Sequence, residues 1–567
     1  MVDKDSFKVD KIPKVVDPQL ETVEQWAGQI PIAEGNDDDL MFFWLISNST
    51  NHNNQDSLVI WLNGGPGCID GVIMENGPYL FKDDELHLRP YAWSSQMDVL
   101  YIDQPFGTGM SVANKTSYVK TFVNGNDNLM KFMERFFNIF SEYRDRKLYI
   151  AGESEAGTYL IYFADAVLKM PAKNRYNLQG VLIGNGWIDG FTMYQSYPAM
   201  AEEAGVLTDE AKKAMYKEIN KCVAEYNKAP QPVHVDACEQ ILNTFLMNYG
   251  PSPDLCYNMY NLDLNDTKPA CGMNWPESVG NMTSYMRRPD VHKALNLHEG
   301  KVPERWVECN RDVSVSLLGD KSKPSVQMLP SVLESIPVLL FVGDRDIVCN
   351  HIGIEWMIGN LTWNGEKGFV TNEGQSWFVD DNQAGIYISE RNLTYVRIYN
   401  SSHMVGVDHP KEMLDILTRF TGASTDTIRF KSELKQINFS KNTKSSDEVG
   451  ENSGNNKFLL LLLLLALIII GGLGWWYRKR LVSWIKSCRG SKKTAFPLGG
   501  SSERTLENDQ EHELESIRPH RESNENPFKI YDPNDFVDDD GIDDDDSDLG
   551  NETLRRDNES PSHPLRH

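Results

Sequence analysis

An unbroken apolar run, FLLLLLLLALIIIGGLGWWY over residues 458–477, sets the layout of this 567-residue chain. Its roughly 20 residues match the thickness of a bilayer core, and it lacks the polar stripe that a helix on a soluble core keeps. Trp475, Trp476 and Tyr477 close the run like an interfacial belt, and Arg478, Lys479 and Arg480 follow. The positive-inside rule then puts the residues after Tyr477 in the cytoplasm and those before Phe458 in a lumen or outside. Four parts are predicted: a folded lumenal domain over 1–430, a polar stalk over 431–457, a transmembrane helix over 458–477 and a tail over 478–567. The tail begins basic at Lys486, Arg489, Lys492 and Lys493 and turns acidic between Asp538 and Asp548. High charge with few apolar residues predicts disorder there, and the basic start suits an anionic leaflet. The first residues, MVDKDSFKVDKIPKVV, contain no apolar stretch, so an export signal is expected to lie outside this sequence.

Charge and cysteines agree with that topology. A formal charge of −26 argues against a nucleic-acid partner, which requires a basic field. Seven of the eight cysteines precede the apolar run: Cys68, Cys222, Cys238, Cys256, Cys271, Cys309 and Cys349. An oxidising compartment allows them three disulfides and one free thiol. Asn-X-Ser/Thr acceptors stand at Asn48, Asn114, Asn265, Asn281, Asn360, Asn392, Asn400 and Asn438, consistent with a glycosylated lumenal part.

Within residues 1–430, short apolar segments recur: 57–64, 98–105, 147–154, 178–187, 337–346 and 394–402. Most end in Gly, Asn, Asp or Ser, with amphipathic stretches between several of them. Continuous apolar strands alternating with helices predict an α/β architecture around a mostly parallel sheet covered on both faces. From about 190 to 330 the rhythm stops, and helical patterns at 207–226 and 234–249 appear among five cysteines. An inserted helical, disulfide-stapled subdomain is expected there.

Chemistry concentrates at the ends of these strands. In IAGESEAGTY, residues 150–159, a strand runs into Ser154 between small residues and then into a helix, the pattern of a nucleophile elbow. A serine hydroxyl is a weak nucleophile, so a histidine must accept its proton and an acid must orient that histidine. In folds of this kind the order is serine, acid, histidine. Asp346 in PVLLFVGDRDIVCN and His403 in YVRIYNSSHMVG supply the second and third members, each after a strand. An oxyanion also needs backbone donors, and the glycine-rich WLNGGPGC at 61–68 can bring them close. Nothing in this chemistry calls for a metal or cofactor.

The ordered set WLNGGPGC, DQPFGTGMS, GESEAG, GNGWID, CGMNWP, GDRDIVCN and NSSHMV resembles the serine carboxypeptidase family over roughly residues 20–425. The arrangement of enzyme, stalk, single span and acidic tail is similar to its fungal precursor-processing members. The resemblance implies an α/β-hydrolase fold and a triad of Ser154, Asp346 and His403, with an oxyanion hole from the N–H groups of Gly65 and Glu155. It implies that Asn63, Gly64, Glu75 and Glu153 hold the terminal carboxylate of a peptide, with one of the two close glutamates keeping its proton. It also implies bridges Cys68–Cys309, Cys222–Cys238 and Cys256–Cys271, a free Cys349 beside the site, and a late Golgi address as a type I membrane protein.

Three departures stand out. GGPGCIDG is two residues shorter before Glu75 than the family's GGPGCSSMDG or GGPGCSSLTG, which bears on the reach of Glu75. Glu155 replaces the tyrosine that usually follows the nucleophile, and Thr158 replaces a Gln or His. By the likeness, Asp70 falls in the pocket for the departing residue, with Met404, while Glu155, Tyr194 and Tyr197 fall in the neighbouring one. Carboxylates there would bind Lys or Arg through charge-assisted hydrogen bonds, which predicts removal of basic residues from peptide C-termini in the secretory pathway. The rival readings are an acyltransferase, and a catalytically impaired membrane receptor or sorting protein on the same fold.

Overall fold

The computed structural model describes residues 3–33, 38–47, 56–65, 71–228, 235–303, 306–371 and 373–423. Cys68 and with it the expected Cys68–Cys309 bridge, Asp70, Asn48, Asn438, the stalk, the apolar run 458–477 and the tail lie outside the described residues. Among those described, no helix is long and apolar enough to cross a membrane.

Ten strands form the central sheet: β1 (Gln25–Pro31), β2 (Leu40–Ile46), β3 (Ser57–Leu62), β4 (Asp98–Ile102), β5 (Lys147–Ser154), β6 (Leu178–Gly186), β7 (Val338–Gly343), β8 (Gln375–Val379), β9 (Asn382–Glu390) and β10 (Leu393–Ile398). Their order across the sheet is β1-β2-β4-β3-β5-β6-β7-β10-β9-β8. The middle run from β4 to β10 is parallel, and both flanks pair antiparallel. All six parallel strands fall within the apolar segments expected from the sequence, to within a residue. Such strands must be covered on both faces to be stable. Leu58, Ile60 and Leu62 of β3 pack in one core with Phe132 and Phe136 of helix α1 (Phe122–Ile139), while Val59 and Trp61 pack in the other with Met413, Ile416 and Leu417 of a helix at Pro410–Thr421. The result is an α/β-hydrolase-like fold with a mostly parallel sheet.

After β6 the chain leaves the sheet. It forms α2 (Gly190–Glu203), α3 (Asp209–Tyr226) and α4 (Asp236–Asn248), then a hairpin of Leu255–Asn258 with Asn261–Thr267. Thr208 caps α3, its side chain accepting from the N–H of Ala211. A cap residue keeps non-helical backbone, so the helix starts at Asp209 and not at Leu207. Cys222–Cys238 ties α3 to α4, and Cys256–Cys271 closes the hairpin region, as the resemblance implies.

Candidate active site

Every predicted catalytic side chain sits at the C-terminal end of a parallel strand, where loops are free to present it. The turn 63–65 follows β3, Ser154 ends β5, Asp346 follows β7 and His403 follows β10. Ser154 has φ +58, a left-handed backbone that a non-glycine residue adopts only where its surroundings impose it. Small neighbours permit that turn. A Cβ on Gly152 would meet the Leu62 carbonyl at 2.2 Å, and one on Gly64 would meet the Ser154 Cβ at 2.5 Å and the Glu155 nitrogen at 2.6 Å. The 63–65 turn is thus pressed against the backbone of the elbow, with Gly65 in a positive-φ conformation.

His403 Nδ1 lies 2.6 Å from Asp346 Oδ2, and both residues are buried. Asp346 also accepts from the N–H of Val348 at 2.8 Å on Oδ1 and of Cys349 at 3.1 Å on Oδ2. A carboxylate held this way fixes one imidazole tautomer and leaves Nε2 to take a proton. Cys349 is a buried free thiol. Its ligand atom and those of Asp346 and His403 lie within 4.8 Å of one another. Burial and the Asp346 charge push the thiol well above its ordinary value, although the Ser154 side chain hydrogen-bonds to it. Burial and the raised pKa disfavour its thiolate.

The second cluster is a cradle formed by Asn63, Glu75 and Glu153. The Trp61 indole N–H donates to Asn63 Oδ1 at 2.9 Å and the Gly71 N–H does so at 3.3 Å. This turns the Asn63 amide so that Nδ2 faces Glu75 Oε1 at 2.7 Å and Glu153 Oε1 at 3.3 Å. Burial raises the pKa of Glu75, against the opposing hydrogen bonds of Glu153 and Asn63. Two facing buried carboxyls cannot both ionise cheaply. Glu75 ends a single π-helical turn, Gly71–Glu75. Glu75 meets Asn63, so this contact is present in a chain with the departure in length.

The remaining expected residues take several positions. Met404 is buried next to His403. Glu155 is half-buried and accepts a hydrogen bond from the Tyr159 hydroxyl. Tyr194 and Tyr197 are buried on α2 and meet edge-to-face, and the Tyr197 hydroxyl donates to the Val348 carbonyl at 3.3 Å. Tyr194 donates to Glu239 of α4, and burial with the charges of Glu239 and Glu155 raises its phenol well above the ordinary value. Both carboxylates are therefore beside it. Of the sequons, Asn114, Asn265, Asn281, Asn392 and Asn400 are exposed and Asn360 is half-buried. Asn392 Nδ2 already donates to the Leu333 carbonyl at 2.9 Å.

Several contributors were not singled out by sequence. Tyr260, from the hairpin region of the insertion, accepts the His403 backbone N–H on its carbonyl at 2.9 Å and lays its ring 5.0 Å from the imidazole. Arg89 is buried and donates to the Ile73 carbonyl at 2.7 Å, bracing the turn that carries Glu75. Burial lowers its pKa to about 10 while Glu75 opposes this, so the two charges are neighbours. Glu308 is half-buried, and burial with the Glu75 charge pushes its carboxyl up to about 7. No sequence signal marks these three, because a lone Tyr, Arg or Glu in a loop has no periodicity or partner spacing to read.

The family pattern of serine carboxypeptidases (peptidase S10) matches residues 13–423, which hold the elbow, the cradle and the Asp346–His403 pair. The chain belongs to the serine carboxypeptidase family. Among curated family members it is 42% identical over 416 residues to the pheromone-processing carboxypeptidase KEX1 of Tuber melanosporum, covering 70% of this chain and 66% of that protein. It is 41% identical over 428 residues to the kex1 enzyme of Aspergillus oryzae, covering 73% and 68%. The chain thus spans about two thirds of the length of the curated relatives it matches. A solved structure, KEX1(delta)p, a prohormone-processing carboxypeptidase from Saccharomyces cerevisiae, is similar with a TM-score of 0.69 and 34% identity, covering 74% of this chain and 97% of that one.

Proposed function

We propose that this serine carboxypeptidase family member hydrolyses the last peptide bond of peptides and protein precursors, removing C-terminal residues, preferentially Lys or Arg, in the secretory pathway. The observation that carries the reading is the Asn63–Glu75–Glu153 cradle placed beside Ser154, since it limits the site to substrates that end in a carboxylate. In the first step Ser154 Oγ attacks the scissile carbonyl and passes its proton to His403 Nε2, while Asp346 steadies the imidazolium. The N–H groups of Gly65 and Glu155 stabilise the oxyanion. His403 returns the proton to the leaving amine, and water then cleaves the acyl-enzyme by the same route.

The cradle holds the terminal carboxylate through Asn63, the Gly64 backbone and the proton kept by the glutamate pair. The basic preference is supported by Glu308, a carboxyl within electrostatic reach of Glu75 and Tyr260, and by Glu155 and Glu239 beside Tyr194. Asp70, expected in the pocket for the departing residue with Met404, belongs to the same proposal. The disulfides and exposed sequons support a lumenal domain, the apolar run 458–477 with the basic residues after it supports anchoring to a bilayer as a type I protein, and the late Golgi address rests on the likeness to the processing carboxypeptidases alone.

The test is twofold. An organophosphonate should label the wild type at Ser154 and leave Ser154→Ala unlabelled, and kcat/KM should rank peptides ending in Arg above Leu above Glu. A folded wild type that takes no label would support the impaired receptor or sorting reading, and labelling with no preference for Arg would remove the specificity. Transfer to an added alcohol acceptor in preference to water would mark an acyltransferase.

A further inference from the structure

At the C-terminal end of β6, Asn185 is fully buried and has φ +38 within a strand. Asparagine is one of few residues that enter this left-handed region readily. The parallel ladder between β6 and β7 runs from Val181/Val338 to Gly184/Phe341 and stops there. Beyond it, the Asn185 side chain continues the connection. Its Oδ1 accepts the Gly343 N–H at 3.2 Å, and its Nδ2 donates to Asp346 Oδ2 at 2.9 Å. That oxygen is the one facing His403 Nδ1.

The same strand end reaches the other members of the site. The Trp187 N–H donates to the Ser154 carbonyl at 2.7 Å, and Thr158 of the helix after the elbow donates to the Trp187 carbonyl at 2.7 Å. A Cβ on Gly343 would meet the carbonyl of Ser402 at 2.2 Å, so the strand end that Asn185 grips abuts the loop carrying His403. We infer that Asn185 is a positioning residue of the triad: one side chain sets the direction of Asp346 and ties the acid and histidine loops to the strand that braces the nucleophile. This rests on the triad reading above and extends it to a fourth buried side chain.

The chemistry required is one donor toward Asp346 and one acceptor toward Gly343. A protonated carboxylic acid offers the same pair, whereas an ionised one sets two carboxylates against each other. Asn185→Asp is therefore expected to act as a pH-dependent rescue. Asn185→Gly tolerates the backbone conformation but supplies neither group, so Asp346 keeps only the Val348 and Cys349 N–H donors and His403 to direct it. Misplacement of a catalytic group by about 1 Å costs on the order of 100-fold, so Asn185→Gly should lower kcat about 100-fold with KM changed less than about threefold.

The experiment measures kcat and KM of full-chain wild type, N185G, N185D and S154A between pH 5 and pH 7, with near-ultraviolet circular dichroism at both ends to confirm folding. The N185D-to-wild-type ratio of kcat is expected to rise at least about tenfold as pH falls over this range, while the N185G ratio stays flat. An N185D ratio flat with pH, or an N185G kcat within about threefold of wild type, overturns the inference. An S154A protein as active as wild type would overturn the triad reading itself, so the two failures are distinguishable.

Discussion

Under the proposed function, replacing Glu75 by glutamine isolates the proton on which binding of a peptide's terminal carboxylate would depend. Burial raises the Glu75 pKa, so its proton is kept above the ordinary carboxylate range and is lost only as pH rises through the shifted value. The donor to a substrate carboxylate is therefore present on the acid side and absent on the alkaline side. In Glu75→Gln the Asn63 amide, 2.7 Å from Glu75 Oε1, would bind the new amide oxygen and leave the new NH2 where the acid O–H stood. A hydrogen bond to a charged group contributes about 1.5–3 kcal/mol, which is about 10- to 150-fold in affinity.

For peptides with a free C-terminus, the wild-type KM should accordingly rise by about 10- to 150-fold as pH climbs past that range. The Glu75→Gln enzyme should instead show a flat profile, starting within about tenfold of wild type at the acid end. Peptide amides provide the control and should show no such difference between the two enzymes. Steady-state kinetics on matched free-acid and amide peptides from pH 4 to 9 decide the matter. A Glu75→Gln enzyme that retains the wild-type pH dependence, or that loses equally on amides, would refute the assignment of the titrating donor to Glu75.

Other expectations follow from single contacts. Gly64→Ala places a methyl at 2.5 Å from the Ser154 Cβ and 2.6 Å from the Glu155 nitrogen; the elbow backbone must move, so kcat should fall about 100-fold or more and Tm should fall with it. Glu308→Gln should reduce the preference for C-terminal Arg over Leu by roughly tenfold or more, read from the ratio of kcat/KM values; an unchanged ratio would remove Glu308 from the pocket. Arg89→Leu removes the donor to the Ile73 carbonyl, so KM for free-acid peptides should rise while phosphonate labelling of Ser154 persists. Asp103 is buried and pushed up to about 8 by burial. Its folded form holds a proton that the unfolded chain releases near pH 4, so folding stability declines as pH rises from that point through about 8. Asp103→Asn should flatten the fall of Tm over this window, and a Tm profile unchanged by the substitution would exclude Asp103 as its source.

Much of the fold could be read along the chain because its information is local. The six parallel strands are continuous apolar runs, each ended by turn residues, and covered sheets demand that pattern. The antiparallel flanks were less legible. QWAGQIP of β1 and NQAGIYISE of β9 carry little alternation, and they are strands because a neighbour offers its backbone edge. Helix starts shifted by a residue or two where a cap such as Thr208 had to stay outside the helix.

The nucleophile turn around Ser154 and the order of Ser154, Asp346 and His403 were legible in the sequence alone, since elbow, acid and base each follow a strand and need only local chemistry to be recognised. The grouping of Asn63, Glu75 and Glu153 came from the family resemblance, and the fold brings the three side chains together. Only the tertiary structure decided which other side chains brace these groups. Asn185 reaches Asp346 across 161 positions, Tyr260 reaches His403 across an insertion, and Arg89 braces Glu75 from a separate loop. Such contacts are made by single side chains brought together when the sheet and its insertion pack, and no periodicity in the chain encodes which of many Asn, Tyr or Arg residues will arrive there.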